Sequence, residues 1–188
     1  MELTTAIKQK ALEVGFDLVG ITTAEPVSNE HAGHLRRWLD SGCAADMGYM
    51  HRNFEKRVNP GELLKGAKSV ICVALNYALD EAEIAENNPE LARIASFALY
   101  EDYHDFMKQR LFELAGFISE SAGDQQIRFK VCVDTVPLLE RALAQRAGIG
   151  FIGRNRMLIN PDFGIYLLLG EMITTAELAP DKPMDQPC

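Results

Sequence analysis

Few residues in this chain of 188 combine a type and a setting suited to chemistry. Asp134 follows the run Ile127-Arg128-Phe129-Lys130-Val131-Cys132-Val133 and precedes Thr135-Val136-Pro137. The alternation predicts a half-buried strand, with Asp134 on the face of Arg128, Lys130 and Cys132. Such a carboxyl group has two readings. It is an acid near a helix N-terminus, whose dipole favours the charged form, or a proton donor, which needs desolvation to raise its pKa. Spacing alone favours the first. Asp102-Tyr103-His104 stands ahead of a long helical pattern. Asp102 suits a helix cap, and Tyr103 and His104 read either as first-turn residues or as a pocket wall. Arg57, in Lys56-Arg57-Val58-Asn59-Pro60, reads as a surface residue before a proline turn or as a clamp for a phosphate or an amide-rich ligand.

Other candidates carry less. His31, His34 and His51 lack a metal-ligand spacing. Cys72 and Cys132 lie in apolar runs and read as small buried hydrophobes, and Cys43 has no partner at motif distance. Residues 148–153 spell Gly-Ile-Gly-Phe-Ile-Gly. A dinucleotide site needs a strand before such glycines and a helix after them. The pattern here puts a helix before them, which leaves a helix stop and turn, or a backbone open to a large flat ligand.

These residues need elements to hold them. Leu3, Ile7, Ala11 and Val14 recur at helical spacing over 3–14, with Gly15 as the stop. Residues 17–22 read as a strand and 30–42 as a helix bearing Leu35, Trp38 and Leu39. The stretch 47–56 suits a short helix. Residues 69–77 form a continuous apolar run, a buried strand. Residues 80–92 are acidic and polar, a surface loop or weak helix. Met107, Leu111, Leu114 and Ile118 define an amphipathic helix over 104–121. Leu139, Leu143 and Ala147 mark another, with Pro137 in its first turn and Gly148 as its stop. Residues 164–173 form a last buried strand, and the tail 179–188 holds three prolines. Strands alternating with helices predict an α/β or α+β sandwich.

The net charge is −8 and the pI about 5.0, which argues against a domain that holds nucleic acid by phosphate neutralisation alone. Arg141, Arg146, Arg154 and Arg156 are the one dense basic group, read as a solvated helix end. The N-terminus lacks the pattern of a secretory signal, and no apolar run is long enough to span a bilayer. A cytoplasmic monomer is expected.

In order along the chain stand G-F-D-L-V-G-I-T, M-G-Y-M, K-R-V-N-P-G-E-L-L-K-G-A-K-S-V-I, E-D-Y-H, V-D-T-V-P-L-L-E-R, A-G-I-G-F-I-G-R-N and I-N-P-D-F-G-I-Y-L-L-L-G-E-M-I-T. The set resembles the N-terminal half of the epoxyqueuosine reductases and, more distantly, the corrinoid reductive dehalogenases. The resemblance implies a cobalamin-binding domain of nitroreductase-like fold over 1–178. Residues 179–188 would be a linker into a ferredoxin-like domain with two 4Fe–4S clusters. It implies reduction of epoxyqueuosine to queuosine in tRNA, the last step of queuosine biosynthesis, with electrons from an external donor. By the same resemblance Asp134 is the proton donor and a cofactor contact. Arg57, Ala95, Leu158, Leu169 and Met172 line the cobalamin, and Cys188 is the first cluster ligand. The other cluster cysteines are absent, so a truncated, inactive piece is expected. Arg154, where the family more often has lysine, and Leu99-Tyr100, in place of a glycine-containing stretch, depart from the pattern. A non-catalytic corrinoid-binding module and a flavin-dependent reductase of nitroreductase type are the alternatives, separable by cofactor selectivity.

Overall fold

The structure is a computed structural model that describes residues 3–78, 94–123 and 126–184. The expected acidic loop at 80–92 and Cys188 lie outside the described residues.

Helix α1 (Leu3–Glu13) ends where Gly15 takes φ +92°, a conformation an L side chain disfavours. Strand β1 (Leu18–Thr23) follows, then α2 (Asn29–Asp40), started by the Ser28 side chain accepting the His31 N–H. The stretch at 47–56 gives two one-turn helices, α3 (Gly48–Arg52) and α4 (Phe54–Val58). Then come β2 (Ser69–Asn76), α5 (Tyr103–Ala122), β3 (Phe129–Cys132), α6 (Glu140–Arg146), the short β4 (Phe151–Ile152) and β5 (Leu158–Ile159), and β6 (Leu167–Thr174). The last strand starts three residues later than the pattern suggests. A turn at Gly164, closed by the Asn160–Gly164 bridge, occupies the preceding residues.

Four strands form one antiparallel sheet in the order β1-β2-β6-β3. Both faces are covered. On one face α1 and α5 bury Ile7, Ala11, Met107, Leu111, Leu114 and Ile118 against Ile21, Ile71, Val73 and Met172. On the other, α2 and α6 bury Leu35, Leu39, Leu143 and Ala147 against Val70, Cys72, Ala74, Cys132 and Ile173. The architecture is an α+β sandwich of three layers, in which helices satisfy both faces of a mostly apolar sheet.

The alternation predicted for β3 holds through Val131, with Lys130 exposed between two half-buried neighbours. It stops at Cys132 and Val133, both fully buried because successive side chains enter different cores. Helix α6 begins at Glu140, so Pro137 lies ahead of it and Asp134 stands six residues before its first turn. The helix dipole is therefore not what Asp134 meets. Among the described residues, no helix is long and apolar enough to cross a membrane.

Candidate active site

The Asp134 loop begins where β3 leaves the sheet. Asp134 takes φ +51°, a left-handed conformation costly for a residue with a Cβ. It is held there from behind. The Asp134 N–H donates to Glu140 Oε1 at 2.8 Å, while its own carboxylate stays largely exposed, at 65% of the side-chain surface.

Two other residues converge on that carboxylate from the start of α5. Asp102 caps the helix, accepting the His104 N–H at 2.9 Å. Asp102 Oδ1 also lies 2.7 Å from His104 Nδ1, an arrangement that assigns the ring proton to Nδ1. His104 Nε2 is then turned to Asp134 Oδ2 at 3.5 Å, buried and with no hydrogen-bond partner. The Tyr103 ring stacks on His104 with centroids 4.2 Å apart. Burial first, then the neighbouring Asp134 and Glu140 charges, push the Tyr103 phenol up to about 12, so it stays protonated.

The loop runs between two cavities. One, of about 450 Å³, opens on Tyr103 together with Tyr77, Phe97, Tyr100, Phe106 and Leu168. The other, of about 500 Å³, opens on Glu140 with His31, His34, Trp38, Arg141 and Arg156.

Beneath the loop lies a residue the sequence reading passed over. Glu171 sits mid-strand in β6, opposite Cys72 of β2 and Cys132 of β3. Directly paired residues of an antiparallel ladder share a face, so all three point toward α6. Glu171 is fully buried and neither carboxyl oxygen has a hydrogen-bond partner. Burial, reinforced by Glu140, pushes its pKa well up, which favours the neutral form. Burial likewise raises Glu140, to about 7. The signal was available: a lone acid inside Leu-Leu-Leu-Gly-Glu-Met-Ile contradicts a buried strand unless it has a task.

The remaining sequence candidates divide. Arg57, at the end of α4, is near the loop: its carbonyl accepts the Leu139 N–H at 3.1 Å, and its Nε is buried without a partner. Leu158 is buried and Leu169 half-buried on the α2/α6 side of the sheet. Met172 packs in the opposite core under α1 and α5, so its side chain is not with the others. Ala95 is exposed and opens the short 3₁₀ turn Ser96–Leu99 that brings Phe97 to the aromatic cavity.

In the arginine cluster Arg141, Arg154 and Arg156 are exposed, and Arg146 departs from a solvated helix end. Arg146 is partly buried and donates to Thr22 Oγ1, Thr23 O, Glu25 O and Pro26 O, which ties α6 to the β1–α2 connection. Arg141 donates to the Arg156 carbonyl. The glycines at 148–153 serve a helix stop and a hairpin: Gly148 takes φ +75°, and the Ile159 carbonyl would lie 2.4 Å from a Cβ on Gly150.

Residues 57–135 match the family model described as epoxyqueuosine reductase QueG, DUF1730. The epoxyqueuosine reductase of Synechococcus sp. (strain RCC307) is 40% identical over 190 residues, covering 100% of this chain and 57% of that protein. The chain is a relative of the epoxyqueuosine reductases. A crystal structure of an epoxyqueuosine reductase with an epoxyqueuosine-modified tRNA-Tyr stem loop superposes with a TM-score of 0.81 at 32% identity, over 99% of this chain and 48% of that one. That of the Bacillus subtilis enzyme, with its catalytic aspartate loop swung out of the active site, gives 0.77 at 30% identity over 99% and 48%. A catabolic reductive dehalogenase shares the fold alone, with a TM-score of 0.58 at 18% identity. The chain spans about half the length of the epoxyqueuosine reductases it matches.

Proposed function

We propose that this chain carries the proton-delivering and cobalamin-facing part of an epoxyqueuosine reductase, acting on tRNA. The observation that supports it best is the aligned set Asp102, His104 and Asp134 at the mouth of the fold, in a chain related over its whole length to those enzymes. Loss of the epoxide oxygen as water, leaving a carbon–carbon double bond, takes up two electrons and two protons. Asp134 is placed to give one of those protons, because its carboxyl is exposed on a loop held from behind. His104 Nε2, 3.5 Å away, is placed to restore it once the ring has itself taken up a proton at that nitrogen, with Asp102 fixing the ring. Tyr103 stays a neutral hydrogen-bond donor beside them.

The residues present fit a corrinoid. Arg57 offers an orphaned, buried guanidinium Nε of the kind an amide-fringed ring would occupy, and Leu169 is half-buried on the same side of the sheet. When bound, cobalamin supplies a low-valent metal centre able to pass electrons to the substrate. A 4Fe–4S cluster has no such fit here: among the described residues no group of three or more His, Cys, Asp or Glu could hold a metal, and Cys72 and Cys132 are sealed in the sheet.

The test is anaerobic titration of the chain with cob(II)alamin, followed by visible absorption and EPR, with flavin mononucleotide as control. Saturable binding of cob(II)alamin alone is expected. Asp134→Asn should bind within about threefold of the wild type and, with any continuation its gene encodes, lose turnover about 10²- to 10⁴-fold, the range general acids contribute. Tight flavin binding without cobalamin binding, or normal turnover by the variant, would overturn the reading.

A further inference from the structure

The chemistry proposed above leaves the second cavity, of about 500 Å³, without a task. Two helices wall it. From α2 come His31, His34, Leu35 and Trp38, spaced as one helical stripe, and from α6 come Arg141, Ala142 and Gln145. Arg156, in the turn between β4 and β5, also borders it, and Arg141 fastens that turn by donating to the Arg156 carbonyl. Two cations are thereby brought to one cavity. The lining has two characters. Leu35 and Ala142 are buried and form an apolar floor, whereas Arg141 and Arg156 are exposed at the rim. Trp38 is half-buried, packed against the core and bordering the cavity as well. Glu30 and Glu140 border it too, which confines an anion to the arginine end. A bare phosphate would leave most of this volume unfilled and gain nothing from the floor. Guanidinium groups hold phosphate oxygens in directed pairs, and an indole stacks on any nucleobase because every base presents a π face. One class of ligand meets both conditions.

We propose that this cavity binds a nucleoside phosphate, its base stacked on Trp38 and its phosphate held by Arg141 and Arg156. The source that fits the proposed function is a nucleotide of the substrate RNA other than the one that reacts. That assignment rests on the reaction proposed above; the nucleotide chemistry does not. Two arginines and a stacking ring also suit an acidic chain, whose net charge of −8 denies it a broad basic surface and leaves recognition to a few local contacts. The cavity and the Asp134 loop share a residue: Glu140 borders the first and accepts the N–H of the second. A nucleotide seated here lies against the group that holds the catalytic loop from behind.

Trp38 is the single tryptophan of the chain, so its emission reports the cavity directly. The chain is titrated, with no cobalamin present, with adenosine 5′-monophosphate and separately with an unmodified RNA stem loop; adenosine and inorganic phosphate serve as half-ligands. Saturable quenching by the nucleotide is expected, with each half-ligand binding about tenfold more weakly or less. Arg141→Gln and Arg156→Gln should each weaken nucleotide binding about tenfold, the worth of one hydrogen bond to a charged group. For the stem loop, either variant should lessen the slope of log affinity against log salt by about 0.7. Arg156→Gln keeps the backbone carbonyl that Arg141 binds, so it removes charge with the turn still fastened. A stem loop that binds more tightly than the mononucleotide assigns the cavity to RNA, and the reverse order assigns it to a free nucleotide; both uphold the site. Emission unmoved by either probe overturns the proposal, as does quenching that both variants leave unchanged. Displacement of the nucleotide by cob(II)alamin would give the cavity to the cofactor and overturn it too. Cobalamin binding that persists without nucleotide binding marks a failure here alone, apart from the assigned reaction.

Discussion

Arg146 illustrates how far a residue's type leaves its task open. In sequence it is one of four clustered arginines in an acidic chain. In the fold its guanidinium makes four hydrogen bonds to the 22–26 segment, three of them to backbone carbonyls. Arg146→Ala takes the donor from all four acceptors, and should lower stability by about 2–3 kcal/mol in urea unfolding. Arg146→Lys should recover less than half, since an ammonium cannot fork across several carbonyls. Asp134, Tyr103 and His104 were legible as candidates because each adjoins a periodic segment. Glu171 was legible too, as a lone acid in an apolar strand, but was passed over; Glu140 was not, because its task is to accept the Asp134 N–H across a turn, which no local pattern encodes. Arg57 was legible as an alternative only, and its buried Nε favours the ligand reading.

Periodicity placed most elements because apolar spacing reports which face is buried. Helix α5 is the clearest case: Met107, Leu111, Leu114 and Ile118 all lie fully buried. It failed only at the end of β3, where Cys132 and Val133 are covered from both sides, since alternation signals a face only when one face is wet. It also could not anticipate how closely elements approach. Gly20 in the middle of β1 looked ordinary, yet a Cβ there would meet the Ala147 carbonyl oxygen at 2.1 Å. The glycine lets the C-terminal end of α6 lie on the strand, and α6 at its other end carries Glu140. Gly20→Ala should therefore cost about 2–4 kcal/mol, beyond the usual range for overpacking because the obstacle is backbone. The same substitution at Gly116, where a Cβ would find nothing within 4 Å, should be neutral or stabilising. Comparing the two urea midpoints checks the argument.

The whole molecule carries its buried acids as a dependence on pH. Burial raises Glu140 from 4.5 to about 7, and complete burial raises Glu171 well above its ordinary value. Between the unfolded and folded values the native state holds more protons than the unfolded chain, so stability falls as pH rises. The contribution is complete below about pH 4.5 and declines through pH 7, with Glu171 adding to it in the same direction. Over the range from about pH 5 to about pH 8 a loss of about 2–3 kcal/mol is expected from Glu140. Thermal unfolding across that range should show the midpoint dropping, and Glu171→Gln should make the drop shallower; a midpoint that rises with pH would contradict the burial of both groups.

The segment after β6 has a further consequence. Asp181 pairs with Ile21 through both its N–H and its carboxylate, each at 2.8 Å, and binds Lys8, while the Ala179 N–H reaches Thr4 Oγ1. A contact spanning 175 positions closes a loop through nearly the whole described fold, and such a closure is entropically slow to find. The first helix and first strand therefore wait on residues made long after them. On a ribosome the fold would stay unfastened until synthesis has passed Asp181, and the Asp134 loop would be assembled before the knot that secures it.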